Sequence, residues 1–275
     1  MGARAPRDLA LLAGPLVLDG LLCDIDDTLT FEGRLVPAAL DGLRRAREAG
    51  LRVVPVTGRP AGWVDHFARM WPVDAVVGEN GGLWFWRDDQ ETRPGQAARL
   101  ERRFSQPAPE RARNRARLDA LATSILAEVP GTALASDQAY RALDLAIDFC
   151  EDVPALGDAE IDRIVAAFQA HGASCKVSSI HVNGWFGDFD KLDGVRRLHQ
   201  DRWGGPIVLD RWAFFGDSAN DEPMFAAFPL SIGVANVRRF LPRMQTGPAY
   251  ITPSEGGMGF VEGLDRILDL LQQSR

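Results

Sequence analysis

Short apolar runs that break into polar turns alternate along this chain with longer stretches whose apolar positions return every three or four residues. The first strong run, Leu21-Leu22-Cys23, ends on the carboxylates of Asp24, Asp26 and Asp27. Residues 36–50 carry a helical pattern, with Pro37 near its start and Gly50 at its end. A β-rich run at 51–60 breaks into a polar turn, 60–71 is again helical, and 73–82 is another apolar run. Strand, helix, strand, helix, strand with short connections predicts a parallel sheet covered by helices. In such a sheet the polar residues that end the strands share one edge, and ligands bind there.

The rhythm changes after Gly82. Residues 83–89 are followed by a Pro-, Gln- and Arg-rich stretch, a long helical pattern over 110–129 and a turn at Pro130–Gly131. A β-like run at 139–150 and a helix at 157–172 come next. Residues 175–190 alternate like a hairpin, for which Asn183–Gly184 is the expected turn. Helix and strand then resume: a helix at 191–204, a strand at 211–217, a helix from 221 and apolar runs at 230–236 and 249–252. A final helix runs from 259 to 273. The expected fold class is α/β, a parallel-sheet core at 1–86 and 190–275 with an α+β cap, 87–189, inserted into it.

The chain has 275 residues, 46% hydrophobic and 25% charged, which is ordinary globular composition for one large domain or two moderate ones. A net charge of −7 argues against a general nucleic-acid binder and leaves only local basic patches open. Eight arginines between Arg93 and Arg117 read first as a solvated helical face, and second as a surface that attracts an anionic ester. Cys23, Cys150 and Cys175 are scattered and odd in number, as expected of reduced cysteines. The N-terminus loosely resembles a secretion signal, but Asp8 and Asp19 interrupt it, and Leu22 is a poor residue for cleavage before Cys23. Gly2 lacks the Ser or Thr of a myristoylation site, Pro6 standing there instead. No run reaches the roughly 20 apolar residues of a membrane span. These features lead us to expect a soluble, cytoplasmic protein with no membrane or nucleic-acid partner.

Carboxylates as close as Asp24 and Asp26 repel one another and lose hydration if covered. A polar Asx turn is one explanation, and a bound divalent cation is the other. Distant residues bear on the choice. A Thr57-Gly58-Arg59 turn ends the second run, Lys191 opens the helix after the insertion, and Gly216-Asp217-Ser218-Ala219-Asn220-Asp221 ends a later strand. Of 31 basic residues only two, Lys176 and Lys191, are lysines, so a lysine at that place is unusual for this chain. A compact ammonium fits a crowded pocket of acids where a forked guanidinium does not.

These four elements, in this order and divided by the insertion, resemble the haloacid dehalogenase superfamily of phosphatases and phosphotransferases. The nearer likeness is to members with a cap between the second and third motifs, such as the Cof-type sugar phosphatases, sucrose-phosphate phosphatase and phosphomannomutase. The resemblance implies a Rossmann-like core and an aspartyl-phosphate intermediate. It makes Asp24 the nucleophile and Asp26 the general acid and base, with the Asp26 backbone carbonyl as a metal ligand. It also implies Mg²⁺ on Asp24 and Asp217, with Asp221 assisting through water or a hydrogen bond. Thr57, Gly58 and Arg59 would surround the transferring phosphoryl oxygens, Asn220 would orient its neighbours, and Lys191 would stabilise the nucleophile. The implied substrate is a sugar phosphate or similar small organophosphate. A phosphomutase and a non-catalytic phosphometabolite sensor are the alternatives on the same core.

Other features keep plainer readings beside these. Thr57 before Pro60 also suits a helix cap. The Asn80-Gly81 turn is explained by turn chemistry as well as by an Asn80 contact to substrate. The Gly216–Asn220 stretch resembles a serine-hydrolase elbow, but Asn220 replaces the last glycine. His181 reads first as a strand histidine facing its neighbours, and Asp27 has no assigned role. Paired Cys/His spacing is lacking, which argues against a zinc site.

Overall fold

The computed structural model describes residues 5–88 and 99–273. The Pro-, Gln- and Arg-rich stretch with Arg93, and the Gly2 position, lie outside the described residues. From the N-terminus the chain forms β1 (Arg7–Asp8), β2 (Gly20–Cys23), a small hairpin of β3 (Thr30–Phe31) and β4 (Arg34–Leu35), then α1 (Pro37–Glu48). It continues through β5 (Arg52–Pro55), α2 (Ala61–Met70), β6 (Val76–Gly78), β7 (Leu83–Asp88) and β8 (Arg99–Phe104). Two helices, α3 (Ala108–Glu128) and α4 (Asp158–Ala170), alternate with β9 (Ala133–Leu134), β10 (Asp144–Asp148), β11 (Ser174–Val177) and β12 (His181–Trp185). The last part holds α5 (Lys191–Trp203), β13 (Trp212–Gly216), α6 (Glu222–Ala227), β14 (Leu230–Gly233), β15 (Tyr250–Ile251) and α7 (Gly256–Gln273).

The main sheet has the order β1-β15-β14-β13-β2-β5, every pair parallel. Side chains alternate across it, as the period of two requires. Leu21, Cys23, Val53, Ala213 and Phe215 pack with α1, α2 and α7 on one face. Leu22, Val54, Trp212 and Phe214 pack with α5 and α6 on the other. Both faces are therefore covered, which explains why these strands read as unbroken apolar runs. This is the expected α/β core, with helices on each side of a parallel sheet.

A parallel bridge between Val56 and Val77 carries the pairing on to β6, and β7 and β8 follow antiparallel. Residues 99–104 were expected inside the insertion 87–189; they pair instead with β7 on the core side. The reason lies in β7 itself. Leu83 and Phe85 enter one apolar cluster while Trp84 and Trp86 enter the other, so the strand is buried on both faces. A strand in that position needs a partner on each edge, and β8 supplies the second.

The inserted unit is a second sheet of order β11-β12-β10-β9, antiparallel throughout, with α3 and α4 on one face. Leu118, Leu121, Ile125, Ile164 and Phe168 from the helices meet Leu145, Ile147 and Val182 from the strands. The alternate strand positions, Asp144, Asp148, His181 and Asn183, are buried as well, although all are polar.

The expected turn at Asn183–Gly184 is not where the hairpin bends. Both residues lie inside β12, Asn183 opposite Lys176 and Gly184 opposite Cys175, and the bend falls at Ser178–Ile180. The glycine answers a packing demand rather than a turn, since a Cβ there would enter the Phe168 ring. Asn183 donates its amide to Asp144 at 2.9 Å. The described cysteines are free, with Cys23 fully buried and the other two partly so. Among the described residues no helix is long and apolar enough to cross a membrane.

Gly184→Ala should therefore destabilise the protein by about 1–3 kcal/mol through overpacking against Phe168. Urea denaturation measures this, and an unchanged midpoint would show that the ring moves aside freely.

Candidate active site

β2 is buried at each of its residues and paired on both edges, so its C-terminal end delivers Asp24 into the interior. The Asp24 amide donates to the Phe215 carbonyl at 2.9 Å, which fixes the backbone beside β13. Lys191 is the first residue of α5, whose N-cap is Asp190, with its side chain accepting from the Asp193 amide. From there its Nζ donates to Asp24 Oδ1 and Asp221 Oδ1, both at 2.7 Å. The other Asp221 oxygen accepts the amides of Asp217 (2.9 Å) and Ser218 (3.2 Å). Asp221 thus serves as an organiser with both oxygens engaged.

Asp217, one residue past β13, has looser partners. Thr28 donates to one of its oxygens at 3.4 Å and Asn236 to the other at 3.3 Å. Oxygens of Asp24, Asp217 and Asp221 lie within 4.8 Å of one another, all three residues buried. A compact all-oxygen donor set with open lone pairs on Asp24 and Asp217 suits a hard divalent cation. Asn236 was not foreseen. It follows β14 at the same sheet edge, and that position was the signal available. It also donates to the Asp27 carbonyl at 3.0 Å, and the Asp27 carboxylate faces Arg239 at 3.5 Å.

The turn after β6 seats Lys191. Asn80 has φ +52° and Gly81 φ +99°, and a Cβ on Gly81 would collide with the backbone of Asp190. Only glycine lets this turn press against the start of α5. Asn80 accepts from Asn220 at 3.4 Å, while its own buried amide nitrogen has no protein partner. Thr57 is buried, and its hydroxyl oxygen accepts the Arg59 amide at 3.0 Å, which leaves its hydrogen available to donate elsewhere. The helix-cap reading fails for it. Pro60 occupies the N-cap of α2, and the Ala61 amide donates to Glu79 Oε1 instead, at 2.9 Å.

Arg59 departs from expectation. Its Nε donates to both oxygens of Asp26 at 3.0 Å, and Nη2 to Asp26 Oδ1 at 2.8 Å. The remaining bonds go to Asp137 (3.3 Å) and Glu151 (2.8 Å) of the inserted unit. A guanidinium so committed is not a free phosphate ligand. Gly58, its neighbour, turns its carbonyl to Arg141 at 2.9 Å. Arg141 in turn pairs with Asp137 and Asp144. Glu79 is fully buried and accepts amides from Ala142, Leu143 and Asp144 as well as Ala61. His181 Nε2 lies 2.9 Å from Glu151 Oε2. None of Glu79, Asp137, Arg141, Asp144 or Glu151 was singled out from sequence.

The predicted site residues do converge. Asp24, Asp26, Gly58, Arg59 and Asn220 line one small cavity with Arg141, His181 and Asn183. Its free volume is about 10 Å³, room for little more than one water.

The electrostatics follow from three carboxylates around one ammonium. Burial raises the Asp24 carboxyl, Lys191 opposes the rise and Asp221 adds to it, which leaves it pushed up to about 8. Burial and then Asp24 and Asp221 push Asp217 well above the ordinary range. Burial disfavours the charged Lys191, but Asp221 and Asp24 outweigh it and hold the ammonium firmly protonated. Glu79 is pushed up to about 7, by burial first and Asp144 second, against the pull of its amide donors.

Residues 21–104 match the family model of the haloacid dehalogenase-like hydrolases. No curated protein matches the chain. Among solved structures, a Thermoplasma acidophilum protein superposes with a TM-score of 0.66 at 18% identity, over 92% of this chain and 99% of that one. The sucrose-phosphatase from Synechocystis, solved with sucrose and phosphate, gives 0.60 at 16% identity, covering 92% and 98%. A HAD subclass IIB sugar phosphatase gives 0.58 at 14% identity, covering 93% and 98%. The resemblance read from the motifs is borne out by the family match over residues 21–104, and over about nine-tenths of its length the chain shares the fold of those proteins.

In the metal-free protein Asp24 and Glu79 bind protons when folded that ordinary carboxylates, titrating near 4, have lost when unfolded. Stability in chelator should therefore fall as pH rises from about 5.5 to about 8. A divalent cation binds the deprotonated cluster, so it should stabilise more at the higher pH. Denaturation midpoints at both pH values, with Mg²⁺ and with chelator, measure this; an effect of Mg²⁺ equal at both would count against a cation on these carboxylates.

Proposed function

We propose that this protein is a Mg²⁺-dependent phosphomonoester hydrolase that works through an aspartyl-phosphate on Asp24. The observation that carries the reading is the Lys191 ammonium held at 2.7 Å from both Asp24 and Asp221 within a buried group of three carboxylates. A surface turn has no need of such an arrangement, whereas attack by one anion on another does. The match of residues 21–104 to haloacid dehalogenase-like hydrolases supports it. The sugar phosphatases among the structural neighbours support a sugar phosphate or similar small organophosphate as substrate.

Asp24, Asp217 and the Asp26 carbonyl would hold Mg²⁺, which would supply the charge neutralisation that attack by one anion on another requires. The remaining work falls to the chain. Lys191 favours the ionised form of Asp24 against its burial and aims it, and Asp221 holds Lys191. An Asp24 oxygen forms a bond to phosphorus as the ester P–O bond breaks, and Asp26 gives its proton to the departing oxygen. Asp26 then takes a proton from water as that water attacks phosphorus, and the bond to Asp24 breaks to release inorganic phosphate. The Thr57 hydroxyl and the Gly58 amide serve the phosphoryl oxygens, and Asn80 and Asn220 border them. The inserted unit acts as a cap, with Ser178, Ser179, His181 and Asn183 facing the leaving group and excluding bulk water.

Phosphate release from a panel of sugar phosphates and an aryl phosphate, with Mg²⁺ and with chelator, tests the proposal. Asp24→Asn should reduce turnover by at least about 10³-fold with the fold intact. Lys191→Arg should cost about 10²-fold despite keeping its charge, because a fork cannot replace an ammonium between two acids. Substantial activity in Asp24→Asn would remove Asp24 as nucleophile, and transfer to an added sugar in place of phosphate release would make the protein a phosphotransferase.

A further inference from the structure

We propose that Arg59 is a positioning residue that ties docking of the inserted unit to the placement of Asp26. The inference rests on the phosphatase reading, in which Asp26 moves the proton. Each nitrogen of the Arg59 guanidinium is bonded to a carboxylate, and these come from both sides of the molecule. Asp26 on the core takes the fork, and Asp137 and Glu151 of the inserted unit take the rest.

The arginine is anchored on the core. Its amide donates to Thr57 Oγ1, its carbonyl accepts from the Glu79 amide at 3.1 Å, and its guanidinium lies 4.6 Å from the Trp63 ring centroid. The two carboxylates it meets are set in advance by their own unit. Asp148 accepts three successive amides, from Cys150, Glu151 and Asp152, and so shapes the loop that presents Glu151. Asp137 is held by Arg141, which is itself pinned to Asp144 and to the Gly58 carbonyl.

Position and solvent make this a coupling rather than a static tie. Arg59 lines both the small cavity at Asp24 and a neighbouring cleft of about 310 Å³, and Asp26 borders both as well. With the unit docked, Arg59 is 6% exposed and its bonds to the partly exposed Asp26 are shielded from water on the guanidinium side. With the unit parted, Asp137 and Glu151 leave, water reaches the guanidinium, and a hydrated ion pair fixes geometry poorly. A misplacement of about 1 Å costs a reaction about 10²-fold. Asp26 would then be aimed for proton transfer only while the unit is docked.

A proton donor matters most when the leaving group is a poor one. In the full-length protein with Mg²⁺, Arg59→Lys and Glu151→Gln should slow phosphorylation of Asp24 by an alkyl ester such as glycerol phosphate by about 10²-fold, as for loss of general acid catalysis. The burst of 4-nitrophenol from its phosphate, whose leaving group departs without a proton, should change by no more than a few-fold. Glu151 lies outside the core, so Glu151→Gln keeps the test open if Arg59→Lys does not fold. Equal losses on the two esters, or no loss on the alkyl ester, would overturn the coupling. Failure of the unaltered protein to turn over either ester would overturn the phosphatase reading and the coupling together.

Discussion

A single ammonium shared between two carboxylates sets the shape of this site. Lys191 is 2% exposed, and an unpaired lysine at that depth would lose its proton. It stays charged because Asp24 and Asp221 sit on either side of it, and they tolerate burial because it is there. Each partner is also fixed by the backbone. Asp24 ends a strand locked between two others, Asp221 is held by the amides of Asp217 and Ser218, and Lys191 opens a helix pressed by the Gly81 turn. The three carboxylates still exceed the one ammonium, so the cluster retains an affinity for positive charge. That surplus is what a divalent cation would satisfy.

A second group of buried charges joins the main sheet to the inserted unit. Glu79, Asp137, Arg141 and Asp144 are all buried, and Glu79 alone receives amides from both parts of the chain. Such groups are costly to desolvate, and as a set they add little to stability over apolar residues of the same volume. Their directional bonds accept one relative placement, however, whereas an apolar interface would accept several. Here that placement puts Ser178, His181 and Asn183 over Asp24. The charges therefore act on specificity of docking more than on its strength.

The parts of this design that were legible in the sequence are those encoded locally. Strand ends were visible because apolar runs such as 21–23 stop abruptly at acids, and helix starts because Pro37 and Gly50 mark boundaries. Lys191 stood out because it opens the helix after the insertion and because the chain otherwise uses arginine. The Glu79–Arg141–Asp144 set was not legible, since Glu79 finds its partners in the inserted unit more than sixty positions away and no spacing announces them. The Asn183–Gly184 pair was misread for a related reason. The same dipeptide suits a tight turn and a strand crossed by an aromatic ring, and only Phe168, from another helix, decides between them. Arg59 was read as a phosphate ligand because its neighbours suggested one; Asp26 of the core claims its fork, and the other two carboxylates, Asp137 and Glu151, lie on loops whose approach depends on the whole inserted unit.

The two charge groups meet at Asp26, and their division of labour follows from what each surrounds. Around Asp24 the positive charge comes from a compact ammonium, which takes up less space than a guanidinium. Around Asp26 it comes from a guanidinium, which occupies both carboxylate oxygens and fixes their plane. The proposed reaction asks for both: an open lone pair on the nucleophile Asp24 and a fixed direction for the proton carrier Asp26. The cavity between them, about 10 Å³ with the unit docked, has no room for a sugar phosphate to enter. On the proposed function, a sugar phosphate would reach Asp24 with the inserted unit parted from the main sheet, and parting would expose the bonds that cross at Arg59, Arg141 and Glu79. On that proposal substrate entry and disassembly of the polar interface would be one event, and redocking would restore the buried surroundings of Lys191 and Arg59.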